Sequence, residues 1–244
     1  NPLAIADEGV GRLNGINSSA SNPNFPFALC REFLNRISKS TTRFCIQQNS
    51  TFLTKACYIG TDMSNPPSVT LLDETLTFPP VEEAWEGLLA IGGDLQEARL
   101  IAAYESGVFP WYGENDPILW WAPEARSVLY LDELKISKSM RNVLNRNVFE
   151  VRIDTAFEQV IRNCAEIRKG NEGTWISEEI VQAYTRLHEL GLAHSFECWQ
   201  NGSLVGGLYG VSIGRMFFGE SMFSFASNAS KVAFIHLVDR KSVV

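Results

Sequence analysis

The stretch Leu204–Asp239, LVGGLYGVSIGRMFFGESMFSFASNASKVAFIHLVD, constrains this chain more than any other. Two apolar runs, Leu204–Val211 and Arg215–Phe218, meet at Ser212–Gly214, where a glycine supplies the backbone freedom of a hairpin turn. The second run reads as ending in Gly219-Glu220-Ser221-Met222. A carboxylate and a hydroxyl are therefore expected where a strand stops and the chain turns toward a helix. Asn228 is the expected cap of that helix, and Val232, Ile235 and His236–Leu237 follow a helical spacing. Strand ends beside helix starts are where α/β architectures place ligands, so Glu220 is the first candidate site residue.

At 244 residues the chain is long enough to bury a sizeable core in one large domain or two small ones. A 45% hydrophobic and 20% charged composition is that of an ordinary globular protein, and no apolar run has the length of a membrane span. The five cysteines contain no C-x-x-C pair, which favours reduced thiols, a cytoplasmic setting and no zinc site. The net charge of -7 argues against bulk electrostatic attraction to nucleic acid. A local basic cluster, Lys135, Lys138, Arg141 and Arg146, is read either as a solvated helix face or as a contact for phosphates.

Residues 1–62 are rich in Asn and Ser and weakly periodic, with a loop-like Asn14–Pro26 and a short amphipathic stretch at Leu29–Ile37. The pattern of a folded domain begins after Met63, which is the expected natural start. Gly92-Gly93-Asp94 is expected to open a helix, with Asp94 and Glu97 as an acidic capping box and Gly107 as its stop. Phe109-Pro110-Trp111-Tyr112 and Trp120-Trp121 gather tryptophans and a tyrosine in one loop-rich window. That window suits either a small core stapling loops or a platform for a flat base. Ser137, Asp154 and Ser177 are expected helix caps, and Asn201-Gly202 is a strong two-residue hairpin signal. From Ser177 the order helix, strand, strand, strand, helix predicts an α+β architecture with a mixed sheet.

Familiar catalytic patterns are missing. Gly219-Glu220-Ser221-Met222-Phe223 lacks the second glycine of a nucleophile elbow, and His188, His194 and His236 show no triad spacing. His188 and His194 are read as satisfied structural histidines. Gly206-Gly207 and Gly92-Gly93-Asp94 match neither a P-loop nor a dinucleotide fingerprint, and no zinc-protease helix is present. Glu220 is either a carboxylate paired inside the fold or one that meets a cationic ligand. Its neighbours Phe217, Phe218, Met222 and Phe223 make a lone buried charge costly.

FPWYGENDPILWWAPEAR, GTWISEEIVQAYTRLHELGLAHSFE and VGGLYGVSIGRMFFGESMFSFASNASK resemble the bacterial leucyl/phenylalanyl-tRNA–protein transferases, in order, over about Leu76 to Asp239. The resemblance implies a small N-terminal domain, here 76–126, and a domain similar to the GCN5-related N-acetyltransferases, here 127–244 and incomplete at its C-terminus. Residues 1–75 would be an extension without fixed structure. The implied reaction moves Leu, Phe or Met from aminoacyl-tRNA to the N-terminal Arg or Lys of a protein, marking it for N-end-rule degradation. The implied enzyme is a monomer without metal, cofactor or membrane attachment.

By the same resemblance Trp111, Trp175 and Tyr184 match residues around the terminal adenosine. Leu208, Met222, Phe234 and Leu237 match the wall of the pocket for the amino-acid side chain, and Lys135, Lys138, Arg141 and Arg146 match the tRNA contact. Glu220 matches the acidic residue near the cationic acceptor and is the catalytic candidate in this chain. The family's proton-handling Asp and Gln are expected on a strand beyond Val244, and Lys241-Ser242-Val243-Val244 resembles nothing in the family. The sheet edge beside Arg215–Glu220 is therefore expected to be open and prone to aggregation. The alternatives are an acetyl-CoA-dependent N-acetyltransferase, weakened by the absence of a Q/R-x-x-G-x-G/A loop, and a non-catalytic module binding tRNA or protein N-termini.

Overall fold

The computed structural model describes Leu3–Ala6, Cys57–Tyr58 and residues 68–113, 115–168 and 174–239. The remaining residues of the expected 1–75 extension, the proposed start at Met63 and the last residues after Asp239 lie outside these. Eleven strands form two sheets among the described residues. The larger has the order β7-β1-β11-β10-β9-β8 and the smaller β2-β3-β4-β6-β5.

The larger sheet is built from the hairpins that the sequence announces. β9 (Ala193–Gln200) and β10 (Ser203–Ile213) are joined through Asn201 and Gly202, whose φ values of 52° and 76° are those of a two-residue hairpin turn. β10 then returns as β11 (Met216–Ser224) through Gly214-Arg215, with Gly214 at φ 59°. The turn lies later than expected, and β11 does not stop at Phe218 but runs on to Ser224. Glu220 therefore lies inside a strand. β8 (Glu150–Ile153) pairs with β9 on one side. On the other, β1 (Leu3–Ala6) runs antiparallel to β11 from Leu3↔Gly219 to Ala6↔Met216, and parallel to β7 (Val128–Tyr130). The expected open edge at Met216–Gly219 is thus occupied: its backbone N–H and C=O groups pair with β1, which removes the template for edge-to-edge association there.

Helices cover both faces of this sheet. α3 (Phe157–Arg168) and α4 (Glu178–Glu189) pack on one face through Val160, Ile161, Cys164, Ile180 and Tyr184, against Tyr209, Val211, Phe218 and Phe223. α5 (Ala229–Asp239) packs on the other through Val232, Ala233 and Leu237, against Phe196, Leu208 and Phe217. α2 (Lys138–Asn145) adds Met140, Val143 and Leu144 to that second layer. Gly206 sets how close α5 comes, since a Cβ there would lie 2.4 Å from that of Ala229.

Ser137 and Ser177 cap α2 and α4 as expected, accepting from Met140 N at 3.3 Å and Ile180 N at 3.2 Å. Asp154 and Asn228 do not cap. Both have positive φ, and Asp154 instead binds His194 Nδ1 and Ser195 N, each at 2.8 Å. The chain entering α3 is held by Glu197 of β9, which accepts from Thr155 N at 2.9 Å and Ala156 N at 2.7 Å. At α5, Ser224 Oγ accepts from Ser230 N at 3.4 Å.

In the smaller sheet β2 (Cys57–Tyr58), β3 (Ser68–Leu72) and β4 (Leu88–Gly92) are followed by β5 (Phe109–Pro110) and β6 (Leu119–Trp121), with α1 (Glu97–Glu105) between β4 and β5. β3 pairs parallel with β4, so the expected boundary at Leu76 cuts through this sheet, whose strands begin upstream. Asp94 is not the N-cap of α1. It makes an Asx turn to Gln96 N at 2.9 Å and binds Arg99, a fully buried cation that also donates to the carbonyls of Asp73 and Thr75 at 2.8 Å each. Gly93 lies against the Arg99 guanidinium, which accounts for Gly92-Gly93 without a phosphate ligand.

Along β10 and β11 the register slips once: Tyr209 faces Ser221, yet Gly210 faces Gly219. Glu220 is the extra residue of this β-bulge. Gly210 opposite leaves no room for a side chain, since a Cβ would lie 2.2 Å from Phe218 O and 2.6 Å from the Phe217 ring. Gly210→Ala should therefore cost about 3 kcal/mol in urea denaturation, through overpacking. Gly202→Ala, with φ 76° but nothing within 4 Å, should cost about 1–2 kcal/mol from backbone strain alone. Equal losses at the two positions would show that the bulge tolerates a methyl group.

Candidate active site

The bulge turns Glu220 out of the alternation of β11, and its carboxylate meets Tyr104 of α1. Tyr104 Oη donates to Glu220 Oε1 at 2.6 Å and lies 2.6 Å from Tyr184 Oη of α4. Three elements distant in sequence therefore converge on one carboxylate. Burial raises the Glu220 pKa to about 7, against the lowering by the Tyr104 hydrogen bond and by positive charge, that of Arg126 included. The same burial, with the Glu220 charge nearby, pushes the phenols of Tyr104, Tyr184 and Tyr209 well above their usual range. No lysine or arginine makes a salt bridge with Glu220 among the described residues. Such a group is close to half ionised near neutrality, so it can pair with a cation or accept a proton.

Arg126 supplies a structural cation whose charge reaches Glu220. Its side chain donates to Gly107 O and lies 4.9 Å over the Phe109 ring, and its burial lowers its pKa despite the attraction of Tyr104 and Glu220. Arg168, at the end of α3, donates to Ser221 Oγ at 3.0 Å, beside Glu220. Sequence reasoning missed Tyr104 and did not single out Arg126 or Arg168. Arg126 stands within one of the quoted motifs, but Tyr104 reads as one more core position of an amphipathic helix. Nothing local marks its hydroxyl as the partner of a residue 116 positions away.

Tyr184, expected at the substrate, is fully buried. It reaches the site through Tyr104 and stacks edge-on with Tyr209 at 5.9 Å. Leu208 and Leu237 share the core between the larger sheet and α5, with Phe234 packed against it. Met222 faces Leu208 across the β10–β11 pairing and is 45% exposed. These four are thus gathered on one face of the sheet, two as inner wall and two nearer solvent.

Trp111 is partly exposed, whereas Trp175 is only 9% exposed. The aromatic window does staple loops. Trp121 packs edge-on against Trp111 at 5.6 Å and donates to its carbonyl at 2.7 Å, while Trp120 is fully buried and donates to Gly92 O at 2.9 Å. Tyr112 reaches Glu179 at 3.4 Å, linking the Trp111 segment to the start of α4 just after Trp175. Burial, followed by the Glu179 charge, raises the Tyr112 phenol to about 12.

Lys135, Lys138, Arg141 and Arg146 are all exposed on or beside α2, and none has an ion-pair partner among the described residues. His188 and His194 are satisfied, by Ala193 O and by Asp154 respectively, each at 2.8 Å. A cavity of about 870 Å³ between α2 and the end of α5 is lined by Leu134, Leu144, Ile235 and Val238 among others, and by none of the predicted site residues. Among the described residues no helix is long and apolar enough to cross a membrane.

Comparison with known proteins follows the same two parts. Residues 128–243 match the leucyl/phenylalanyl-tRNA protein transferase domain, and residues 93–124 match the N-terminal domain of the same proteins. These two domain matches together span residues 93 to 243, and so run on past Asp239, where the resemblance was expected to end. The leucyl/phenylalanyl-tRNA–protein transferase of Chromobacterium violaceum is 56% identical over 164 residues, 66% of this chain and 70% of that protein. That of Aromatoleum aromaticum is 62% identical over 163 residues, 66% and 69% of the two chains. That of Flavobacterium johnsoniae is 58% identical over 168 residues, 68% and 79%. With its α+β fold and both domains matched in order, this chain belongs to the leucyl/phenylalanyl-tRNA protein transferase family of aminoacyltransferases.

Proposed function

We propose that this chain transfers Leu, Phe or Met from aminoacyl-tRNA to the N-terminal Arg or Lys of acceptor proteins, and so marks them for N-end-rule degradation in the cytoplasm. One observation carries the choice of acceptor. Glu220 is a partly buried carboxylate at a sheet bulge that makes no salt bridge with a lysine or arginine among the described residues, and the burial that raises its pKa to about 7 favours a cationic partner for its ionised form. The aminoacyl ester is already activated. The acceptor amine attacks its carbonyl carbon, a C–N bond forms, and the C–O bond to the tRNA ribose breaks. One proton leaves the nitrogen and one is taken up by the ribose oxygen. An N-terminal amine has a pKa of roughly 7.7–8.0, so a neighbouring carboxylate near 7 is matched to the proton it must share.

The other substrate has its own surfaces in this reading. Met222 and Phe234, over Leu208 and Leu237, offer an apolar wall to an unbranched side chain. Such a wall discriminates by only about 1–3 kcal/mol per methylene, which suits a short range of side chains and not one. Trp111, with Trp175 close to the same helix start, is the candidate to stack on the terminal base. The exposed basic group at α2 is the candidate for the acceptor-stem phosphates. Membership of this family leaves the acetyl-CoA-dependent alternative without support. The non-catalytic alternative is decided by turnover itself: labelled leucine should pass from charged tRNA to an Arg-starting peptide and not to an otherwise identical Glu-starting one.

Glu220→Gln should weaken binding of an Arg-starting peptide about tenfold or more, the worth of one charge-assisted hydrogen bond, and leave aminoacyl-tRNA affinity unchanged. In the wild type, peptide affinity should rise with pH through about 7, as the carboxyl ionises, and the variant should lose that limb. The variant should not be less stable at pH 8. A carboxyl whose folded pKa lies above its unfolded value stabilises the fold below the unfolded pKa and loses that contribution as pH rises through about 7. Equal peptide affinity in both proteins removes the acceptor assignment.

For the basic group, Lys138→Ala/Arg141→Ala should lower tRNA affinity and reduce its salt slope by roughly 0.7–0.9 for each phosphate that the variant no longer neutralises. An unchanged slope, measured by filter binding across a salt series, returns α2 to a plain solvated face.

A further inference from the structure

Two phenols stand in series behind Glu220. Tyr104 Oη is 2.6 Å from Glu220 Oε1 and 2.6 Å from Tyr184 Oη, and each phenol carries one proton. An ionised carboxylate only accepts. Tyr104 therefore gives its proton to Glu220, and Tyr184 must give its own to Tyr104. Both donors point toward the carboxylate, and each polarises the next. The chain has no room for slack, since Tyr104 and Tyr184 are both buried and their rings meet edge-on at 6.5 Å. Tyr104 also packs at 5.3 Å against Phe218, two residues before Glu220 on the same strand.

We propose that Tyr104 is a positioning residue for Glu220: its hydroxyl holds Oε1, fixes the plane of the carboxylate at the bulge, and leaves Oε2 for the acceptor's cationic terminus. This rests on the reading that Glu220 meets that terminus. Two features of the geometry support it. Glu220 is the unpaired residue of a bulge, so the β10–β11 register does not orient its side chain, and an external partner has to. Among the described residues, Tyr104 is the donor to that carboxylate, and it comes from α1, in the segment that matches the family's N-terminal domain. The smaller domain would thus set the acceptor site of the larger one.

Among the described residues, the titratable groups that interact with Glu220 are Tyr104 from α1, Tyr184 from α4, Tyr209 from β10 and Arg126 from the segment before β7. Of these, Tyr104 bonds the carboxylate directly and Arg126 acts through charge. Removing one hydroxyl should therefore move the ionisation of Glu220 while the cation remains.

The test is a pH titration of Glu220 by NMR of side-chain carboxyl carbons, assigned by loss of the signal in Glu220→Gln, together with calorimetric binding of an Arg-starting peptide. In Tyr104→Phe the Glu220 midpoint should rise by about one pH unit, and peptide affinity at pH 7 should fall about tenfold. Aminoacyl-tRNA affinity should stay as in the wild type. Tyr184→Phe removes the second donor and leaves the first, and should move the midpoint in the same direction by less. This second variant keeps the test decisive should Tyr104→Phe fold poorly. An unshifted midpoint in both variants overturns the proposal, and so does a shifted midpoint with unchanged peptide affinity while Glu220→Gln still weakens binding. If Glu220→Gln itself leaves peptide affinity unchanged, it is the acceptor reading that falls, and the positioning role toward an acceptor falls with it.

Discussion

A partly buried carboxylate within an apolar sheet is the constraint on which much of this structure turns. Glu220 lies in a strand whose Phe217, Phe218 and Phe223 are buried, and there a charge is tolerated only with a partner. The partner is a phenol, Tyr104, so the fold has to bring α1 against the larger sheet and hold it there. Arg126 then closes the same junction, bonding the carbonyl of Gly107 just past α1. The bulge at Glu220, the bare Gly210 opposite it and the buried Tyr184 all serve one geometry.

A fully buried carboxylate shows what a purely structural one looks like. Glu197 is fully buried, and it accepts from Thr155 N, Thr155 Oγ1, Ala156 N, Ser195 Oγ and Trp199 Nε1. Those donors hold the start of α3 against β9 and leave the carboxylate nothing further to bind. Glu220 has one donor among the described residues and a pKa near neutrality. The contrast between a satisfied carboxylate and an under-satisfied one marks Glu220 as the candidate site more sharply than burial does.

Several features were legible in the residues. Asn201-Gly202 forms its two-residue turn, Ser137 and Ser177 cap their helices, and the aromatic window builds the staple that was one of its two readings. Others were legible in type and wrong in place. Asp154 and Asn228 are good caps by residue type, yet each adopts positive φ, and the donors they were expected to satisfy find Glu197 and Ser224. β11 was expected to stop at Phe218 because Gly219 and Glu220 break its apolar run, whereas cross-strand pairing to β10 carries it on to Ser224. The edge of β11 was expected to stand open, and β1 covers it, a pairing between segments at opposite ends of the chain.

The sequence by itself determined the local elements, the α+β class, the family and the identity of Glu220 as the residue to ask about. These depend on periodicity, turn chemistry and motifs, all of which are written within short windows. Only the tertiary structure decided what Glu220 is bonded to, that it sits at a bulge, and that Tyr184 stands behind the site as part of a chain of phenols. The reason is physical. A bulge is a slip between two strands, and the hydrogen bond from α1 to β11 joins residues 116 positions apart. Neither leaves a trace in the spacing of the residues that make it.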